Sequence, residues 1–501
     1  MKTLFHQYLA ICFLLCTVAC TGNRSALPTA DTDTSDKKYR PLFHFTPPAN
    51  WMNDPNGMVF YNGEYHLFYQ YHPYGNTWGP MHWGHATSTN LVQWTHLPVA
   101  LKPDSLGYIF SGSAVVDWHN SSKLGNGNQP PLVALFTYHS MEDEKAGKVR
   151  FQHQGLAFSN DSGRTWEKYK GNPVLDNPGI KDFRDPKVIW HEASKRWVMV
   201  LAVKDKVAFY TSENLKEWTF SSDFNPEWAA YGGVWECPDL FAIKTQEGHE
   251  KWVLLVSINP GAPQGGSGTQ YFVGHFNGKR FVSETSSVKW LDYGTDNYAG
   301  VTWSDIASTD GRRLFIGWMS NWQYAQQVPT TTWRSAMTLP RELQLFEHHK
   351  DLTLYAKPVR ELAMLRKKRL DLKGNQFELP NDGMEIALQA QNNAFELLFS
   401  NEKQDAVLFY KKADTLIFDR SKSGIIAFND SFPKLQRTVL PNGFSVKNLK
   451  VFLDRSSMEI FINDGEMVLT ALIFPRSPLT LLQTKGVADS IALYPYSSIW
   501  E

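Results

Sequence analysis

From about residue 41 onward the chain is a succession of short strands, and three of the turns between them repeat one another. Ser88-Thr-Asn-Leu-Val-Gln-Trp94, Ser159-Asn-Asp-Ser-Gly-Arg-Thr-Trp166 and Ser212-Glu-Asn-Leu-Lys-Glu-Trp218 each run from a serine to a tryptophan, and the tryptophans lie 72 and then 52 residues apart. A constant unit at unequal spacing points to the blades of a β-propeller, each a small sheet that buries its faces against its neighbours and tolerates insertions. The strands, for example residues 58–61, 65–71, 132–138, 197–203 and 252–258, alternate or are wholly apolar, with almost no helical period. Strand groups as far as Leu343 make up roughly five blades, within the usual range of about four to eight.

Beyond residue 345 the texture changes. Residues 346–368 read as a connector, with a helix expected over 358–368 because Leu362 and Leu365 lie three apart on one face. Strands at 394–399, 406–410, 449–453, 457–462 and 468–473 follow without the serine-to-tryptophan unit, as in a β-sandwich over residues 369–501. The expected fold is therefore all-β, a five-bladed β-propeller over residues 41–345 followed by a C-terminal β-sandwich. A chain of 501 residues is long enough for two such cores.

Composition narrows the partner. Lys and Arg number 50, Asp and Glu 50, and no dense basic cluster occurs, which excludes nucleic acid and other polyanions. Aromatics reach 14%, with 18 Trp, and their faces are stacking platforms for sugar rings, although most serve packing. Cys12, Cys16 and Cys20 all precede the folded part, leaving Cys237 alone in it, so no disulfide can form there. The 15 His show no HExxH or paired spacing, and no metal or other cofactor is expected.

The N-terminus reads as an export signal over residues 1–20, with Lys2 ahead of an apolar run at 8–18. At about 11 residues that run is too short to span a bilayer of roughly 30 Å as a helix. Cys20 after a small residue resembles the lipidation site of bacterial lipoproteins, with Thr17 in place of the usual Leu; an ordinary signal peptide cut after Ala19 is the alternative. Residues 21–40, rich in Ser, Thr, Asp, Asn and Lys, read as a flexible tether. A monomer is expected, exported and held by its lipid alone at a bacterial membrane, on the cell surface or the periplasmic side.

Three acidic motifs carry the chemistry. In Trp51-Met-Asn-Asp-Pro-Asn-Gly57, Asp54 sits before a proline, which favours an extended backbone, and Asn56-Gly57 supplies a reversal. Phe183-Arg-Asp-Pro186 and Trp235-Glu-Cys-Pro-Asp239 sit where later blades begin, each running into an apolar strand. A surface turn, a structural Arg-Asp pair and a buried Glu are the bland readings of the three taken singly. In a propeller the innermost strands converge, so Asp54, Asp185 and Glu236 can meet across 131 and 51 residues. Retaining glycoside hydrolysis needs two carboxyl groups about 5 to 5.5 Å apart, one attacking the anomeric carbon and one transferring a proton. The apolar neighbours Trp235, Cys237 and Pro238 suggest that Glu236 is the acid. Asp54 between Asn53 and Asn56 should stay ionised as nucleophile, and Asp185 beside Arg184 should also be ionised and hold sugar hydroxyls.

These motifs resemble the three signatures of glycoside hydrolase family 32, and the likeness spans nearly the whole mature chain. Trp78-Gly79, Trp83-Gly-His-Ala86, Phe110-Ser-Gly-Ser113, Asp292-Tyr-Gly294 with Tyr298-Ala299, Gly317-Trp-Met319 and Leu453-Asp-Arg-Ser-Ser-Met-Glu-Ile-Phe461 are similar to further family blocks in family order. The resemblance implies a five-bladed propeller with an appended β-sandwich, and a retaining hydrolase of β-fructosides such as sucrose, inulin or levan. It places the nucleophile on Asp54, the transition-state stabiliser on Asp185 and the acid/base on Glu236. Fructose-binding positions fall on Asn53, Gln70, Trp78, Phe110, Ser111, Arg184 and Trp318. Asn90 stands where the blade motif commonly has Asp, which should be structural. Asn297 stands where an aromatic is usual beside Tyr298, near the expected pocket rim.

The leading expectation is a fructan hydrolase, levan slightly ahead of inulin, with hydrolysis ahead of fructosyl transfer on the family's commoner activity. The alternatives are a non-catalytic fructan-binding propeller, which has no need of a poised acid, and a related arabinoside- or xyloside-acting enzyme, which leaves the first motif unexplained. For the anchor, Cys20→Ser should move the protein from the membrane fraction to the soluble one; unchanged membrane retention would rule lipidation out.

Overall fold

The computed structural model describes residues 37–127, 129–348, 351–391 and 394–500. The export signal, Cys20 and the tether as far as residue 36 lie outside the described residues. Tyr39, assigned to the tether from sequence, is instead buried in the fold, and Ser456 Oγ donates to its carbonyl at 2.7 Å.

Five sheets form the N-terminal part, and the first strand of each lies in a central ring. These are β1 (Asn50–Tyr61), β2 (Tyr108–Val116), β3 (Phe183–His191), β4 (Val234–Lys244) and β5 (Tyr298–Thr302). Each packs on the next and β5 packs on β1, so the ring closes into a β-propeller. Closure is reinforced by backbone pairing, because Trp333 and Arg334 lie parallel to Asn50 and Trp51 in the first sheet. Apolar side chains fill the space between neighbouring sheets; Val115, Leu135 and Leu156 of the second, for instance, meet Met199, Leu201 and Trp197 of the third.

The repeated serine-to-tryptophan unit joins the third strand to the fourth in each of the first three sheets. Its geometry is the same each time. The Ser88, Ser159 and Ser212 hydroxyls accept from the N–H two residues on, at 3.1, 3.4 and 3.1 Å. The indoles of Trp94, Trp166 and Trp218 donate to the carbonyls of Leu91, Gly163 and Leu215, each at 3.0 Å. Those three residues turn the chain at φ of 65°, 81° and 62°. Asn90 does the work of the commoner Asp: its Oδ1 accepts from Val92 and Gln93 N–H at 3.0 and 2.9 Å.

Two boundaries move. Strand Arg341–His348 pairs with Asp351–Pro358, so the last propeller sheet runs to Pro358 rather than 345. The helix expected over 358–368 is a 3₁₀ turn, Arg360–Leu365. Residues three apart eclipse in that geometry, which puts both Leu362 and Leu365 in the core. Beyond it two six-stranded sheets pack face to face as a β-sandwich, with Leu397, Phe399 and Phe409 of one against Ile386, Val451 and Ile460 of the other.

Buried charges join the two units. Arg341 Nη2 reaches Glu459 Oε2 at 2.6 Å and its Nη1 reaches Asp292 Oδ2 at 2.9 Å. His44 bridges Asp454 and Glu459 at 2.7 and 2.9 Å, and Arg420 pairs with Asp296 at 2.7 Å. Asp292 also accepts from the Thr470 N–H at 2.9 Å, and Gly294 passes so close that a Cβ there would lie 2.2 Å from the Thr470 carbonyl oxygen. The sequence blocks around Asp292 and Asp454–Glu459 are thus the two halves of one joint. Removing one partner of a buried pair strands the others, so Arg341→Met should lower unfolding free energy by about 3–5 kcal/mol. The partly exposed Arg455–Asp382 pair serves as control, and Arg455→Met should lower it by less than about 1 kcal/mol. Equal effects of the two in denaturant titrations would refute the role given to the joint.

Candidate active site

All five ring strands lose register with their neighbour near their starts. The breaks fall at Asn53-Asp54, Phe110-Ser111, Asp185-Pro186, Cys237-Pro238 and Ala299-Gly300. A bulge leaves a residue unpaired and re-aims its side chain, and proline is tolerated there because no ladder N–H is lost. Asp185, Cys237 and Ala299 hold φ of 62°, 45° and 52°, a strain of about 1–3 kcal/mol each that the surrounding sheets sustain. The carboxylates therefore lie inside the strands and not in turns ahead of them, Asp54 and Asp185 on bulges and Glu236 in register directly before one.

The bulges open one cavity of about 230 Å³. Asp54, Asp185, Glu236, Asn53, Gln70, Trp78, Phe110, Ser111 and Arg184 all line it. Trp318 does not; it is fully buried behind the wall, 4.9 Å from Trp322, which takes the exposed position. Asn297 is also absent from the rim. It is 3% exposed and donates to Asp292 Oδ2 at 3.2 Å, within the joint between the two units.

Hydrogen bonds fix each acid. Trp51 Nε1 donates to Asn53 Oδ1 at 2.7 Å, which turns the Asn53 amide nitrogen onto Asp54 Oδ1 at 3.0 Å. Ser111 Oγ donates to Asp54 Oδ2 at 3.0 Å. The Asp185 N–H donates to Thr137 Oγ1 at 2.9 Å, Thr137 to Gln154 Oε1 at 2.7 Å, and Gln154 Nε2 to the Phe183 carbonyl at 2.9 Å. The Cys237 N–H donates to Asp185 Oδ2 at 3.0 Å, while its thiol lies 3.6 Å from both Asp54 Oδ2 and Asp185 Oδ2. Glu236 receives Arg184 Nη2 at 2.7 Å on one oxygen and the Tyr298 hydroxyl on the other.

The electrostatics differ from those expected of flanking residues. Trp235 points away from Glu236 into the core between sheets, as strand alternation requires, and its indole donates to Ala230. The Glu236 side chain is 21% exposed, against 6% for Asp185. Burial, and then the charge of Glu236, push Asp54 above the ordinary carboxylate range, with Asn53 and Ser111 pulling it back. Burial drives Asp185 up to about 7 against the pull of Arg184, which lies 3.8 Å away and gives its shorter contacts to Glu236 and Asp182. Burial, then Asp185 and Asp54, also raises the Cys237 thiol, which keeps its proton between them.

His139, Glu144, Phe151, Gln152 and Asp182 complete the lining. His139 stacks on Phe110 at 4.1 Å and meets Glu144 Oε2 at 3.0 Å. No motif flagged them; Glu144 arrives on a short helix, Met141–Lys145, inserted between two strands. Tyr298 was visible only as part of a sequence block. Among the described residues no group of three or more His, Cys, Asp or Glu is arranged to hold a metal ion.

Comparison with known proteins gives the family. Residues 44–358 match the glycosyl hydrolases family 32 N-terminal domain and residues 356–496 the family 32 C-terminal domain. A levanase of Bacillus subtilis (strain 168) is 47% identical, over 100% of this chain and 76% of the relative. An extracellular exo-inulinase of Aspergillus awamori is 37% identical over 93% of this chain and 96% of its own. The crystal structure of exo-inulinase from Aspergillus awamori superposes with a TM-score of 0.83 at 35% identity, covering 93% of this chain and all of that one.

The buried acids set a pH dependence of stability. Asp185 has a folded pKa near 7, above its ordinary value of 3.8, so the native state holds the proton that the unfolded state releases. Its contribution is present below about pH 4 and is lost as pH rises through 7. Asp185→Asn should therefore melt higher than wild type at pH 8 and converge with it near pH 4. A variant less stable at pH 8 in thermal melts would reverse the sign and refute the account.

Proposed function

The chain belongs to glycosyl hydrolase family 32 and is a β-fructosidase, and on that premise we propose that it removes terminal fructose units from fructans, levan before inulin, by double displacement. One observation carries the reading: three carboxylates converge on a cavity that is small and blind. Below Ser111 and Asp185 the space narrows to about 10 Å³, roughly enough for one water. A chain end can enter, and a polymer cannot thread through. The preference for levan rests on the levanase at 47% identity.

Asp54 is the nucleophile, since both its oxygens are held by donors that fix its line of attack. In the first step a bond forms from Asp54 to the anomeric carbon of fructose as the glycosidic C–O bond breaks. The proton for the departing oxygen comes from Glu236. In the second step Glu236 takes a proton from water, the water oxygen bonds the anomeric carbon, and fructose leaves with Asp54 restored. Glu236 suits the proton-carrying role because it is the acid with the larger exposure, and Arg184 and Tyr298 fix its orientation. Asp185, Asn53 and Gln70, whose Nε2 is buried without a partner, hold the fructose hydroxyls. Export accords with the leader sequence and with the extracellular Aspergillus relative, and the Cys20→Ser fractionation reports on the lipid anchor.

Product analysis on levan and inulin tests the reading. Wild type should release fructose alone, and a ladder of oligosaccharides would refute terminal attack. Glu236→Ala should lose about 10²–10⁴-fold in kcat with its melting curve retained, and Asp54→Ala at least as much. Wild-type-like turnover in either folded variant would overturn the roles.

A further inference from the structure

The ring strands frame a second cavity at their other ends. It lies at the far ends of β2, β3 and β4 and measures about 290 Å³, more than the catalytic cavity. Between the two stands the Lys187–Asp239 ion pair at 3.0 Å, with Lys187 also donating to the Thr302 carbonyl at 2.8 Å. No sugar passes from one cavity to the other.

The lining has a distinct chemistry. Indoles of Trp118, Trp190 and Trp252 form the walls. Trp118 is 59% exposed, yet its Nε1 donates to Asp305 Oδ1 at 3.0 Å, so its open face is anchored. Arg313 rests on the Phe241 ring and spends one N–H on the Ala242 carbonyl at 3.2 Å, with no ion-pair partner among the described residues. Thr302 Oγ1 and Ser304 Oγ are buried there without a partner. Asp305 is the one carboxylate of the lining and Arg313 its one guanidinium, while Lys187 is paired with Asp239 at 3.0 Å, so the charges about the cavity balance. Balanced charge gives an ionic ligand no net attraction in such a site. A neutral polyhydroxylated ring fits, its C–H face on an indole and its hydroxyls on the guanidinium and the two free hydroxyls.

We propose that this mouth is a second, non-catalytic saccharide-binding site. It holds a neutral sugar unit of the polymer while the catalytic cavity, on the opposite face, attacks chain ends. That the polymer is a fructan rests on the function proposed above; the saccharide chemistry of the cavity does not.

Titration calorimetry with a fructo-oligosaccharide tests it, using the Glu236→Gln protein so that the probe survives. Two equivalents should bind, and Trp118→Ala added to that protein should leave one. In the otherwise unmodified enzyme Trp118→Ala should raise KM for levan about threefold to tenfold, the worth of one stacking contact, with sucrose turnover unchanged. One equivalent in Glu236→Gln that Trp118→Ala does not alter would overturn the second site. One equivalent that Trp118→Ala abolishes would uphold the site and refute the catalytic reading instead.

Discussion

Arg184 is the one guanidinium in the lining that holds Asp54, Asp185 and Glu236, and it reaches only the last two, so the architecture has to sustain an excess of negative charge. Desolvation acts against every one of these groups, and Arg184 is divided between Glu236 and Asp182 at 2.7 Å each, leaving Asp185 at 3.8 Å. Hydrogen-bond donors make up part of the difference, from Asn53 and Ser111 to Asp54 and from the Cys237 N–H to Asp185. A raised Asp185 makes up more of it by holding a proton. Neither device removes the charge imbalance, and the strained bulges at Asp185 and Cys237 add to it. The site's own hydrogen bonds orient the acids, and the apolar layers between the five sheets supply the rest of the stability that holds them together.

The C-terminal sandwich contributes to that support although it has no residue in the cavity. Asp292 is fixed by Arg341 and by Thr470 of the sandwich, and Asp296 by Arg420. These two acids flank the segment that leads into β5, where Tyr298 hands its hydroxyl to Glu236. Asn297, between Asp296 and Tyr298, is tied to the same joint. Rotation of the sandwich relative to the propeller would carry Tyr298 with it, and so the orientation of Glu236 depends on a joint made mostly of residues remote in sequence.

Much of this was legible from residues alone. The serine-to-tryptophan unit announced the sheets because its information is local: a hydroxyl two residues from its N–H and an indole three residues from its carbonyl. The acidic motifs announced the cavity because ring strands must converge. Polarity of flanking residues failed for Glu236, since strand alternation sends Trp235 to the opposite face and its real neighbours, Arg184 and Tyr298, are 52 and 62 residues away. Trp318 and Asn297 were assigned from the family's sequence pattern, which carries no information about packing. Trp318 lies behind Trp322 and Asn297 is tied to Asp292, so packing and the joint turn both away from the cavity.

The blind end of the cavity follows from the bulges themselves. Past Asp185-Pro186 and Cys237-Pro238 the strands regain their register, and Lys187 and Asp239 then face each other across the axis below the three acids. A cation from one strand meets an anion from the next, which yields a neutral plug where another carboxylate would have deepened the imbalance above. Lys187 also donates to the Thr302 carbonyl, so β3, β4 and β5 are tied at one level. The same strands therefore deliver an acid-rich cavity on one side of the plug and, on the other, an aromatic one in which Arg313 stands against Asp305. The Lys187–Asp239 pair closes the cavity at the level where the strands regain their register, and the proposed cut at a chain end rests on that closure.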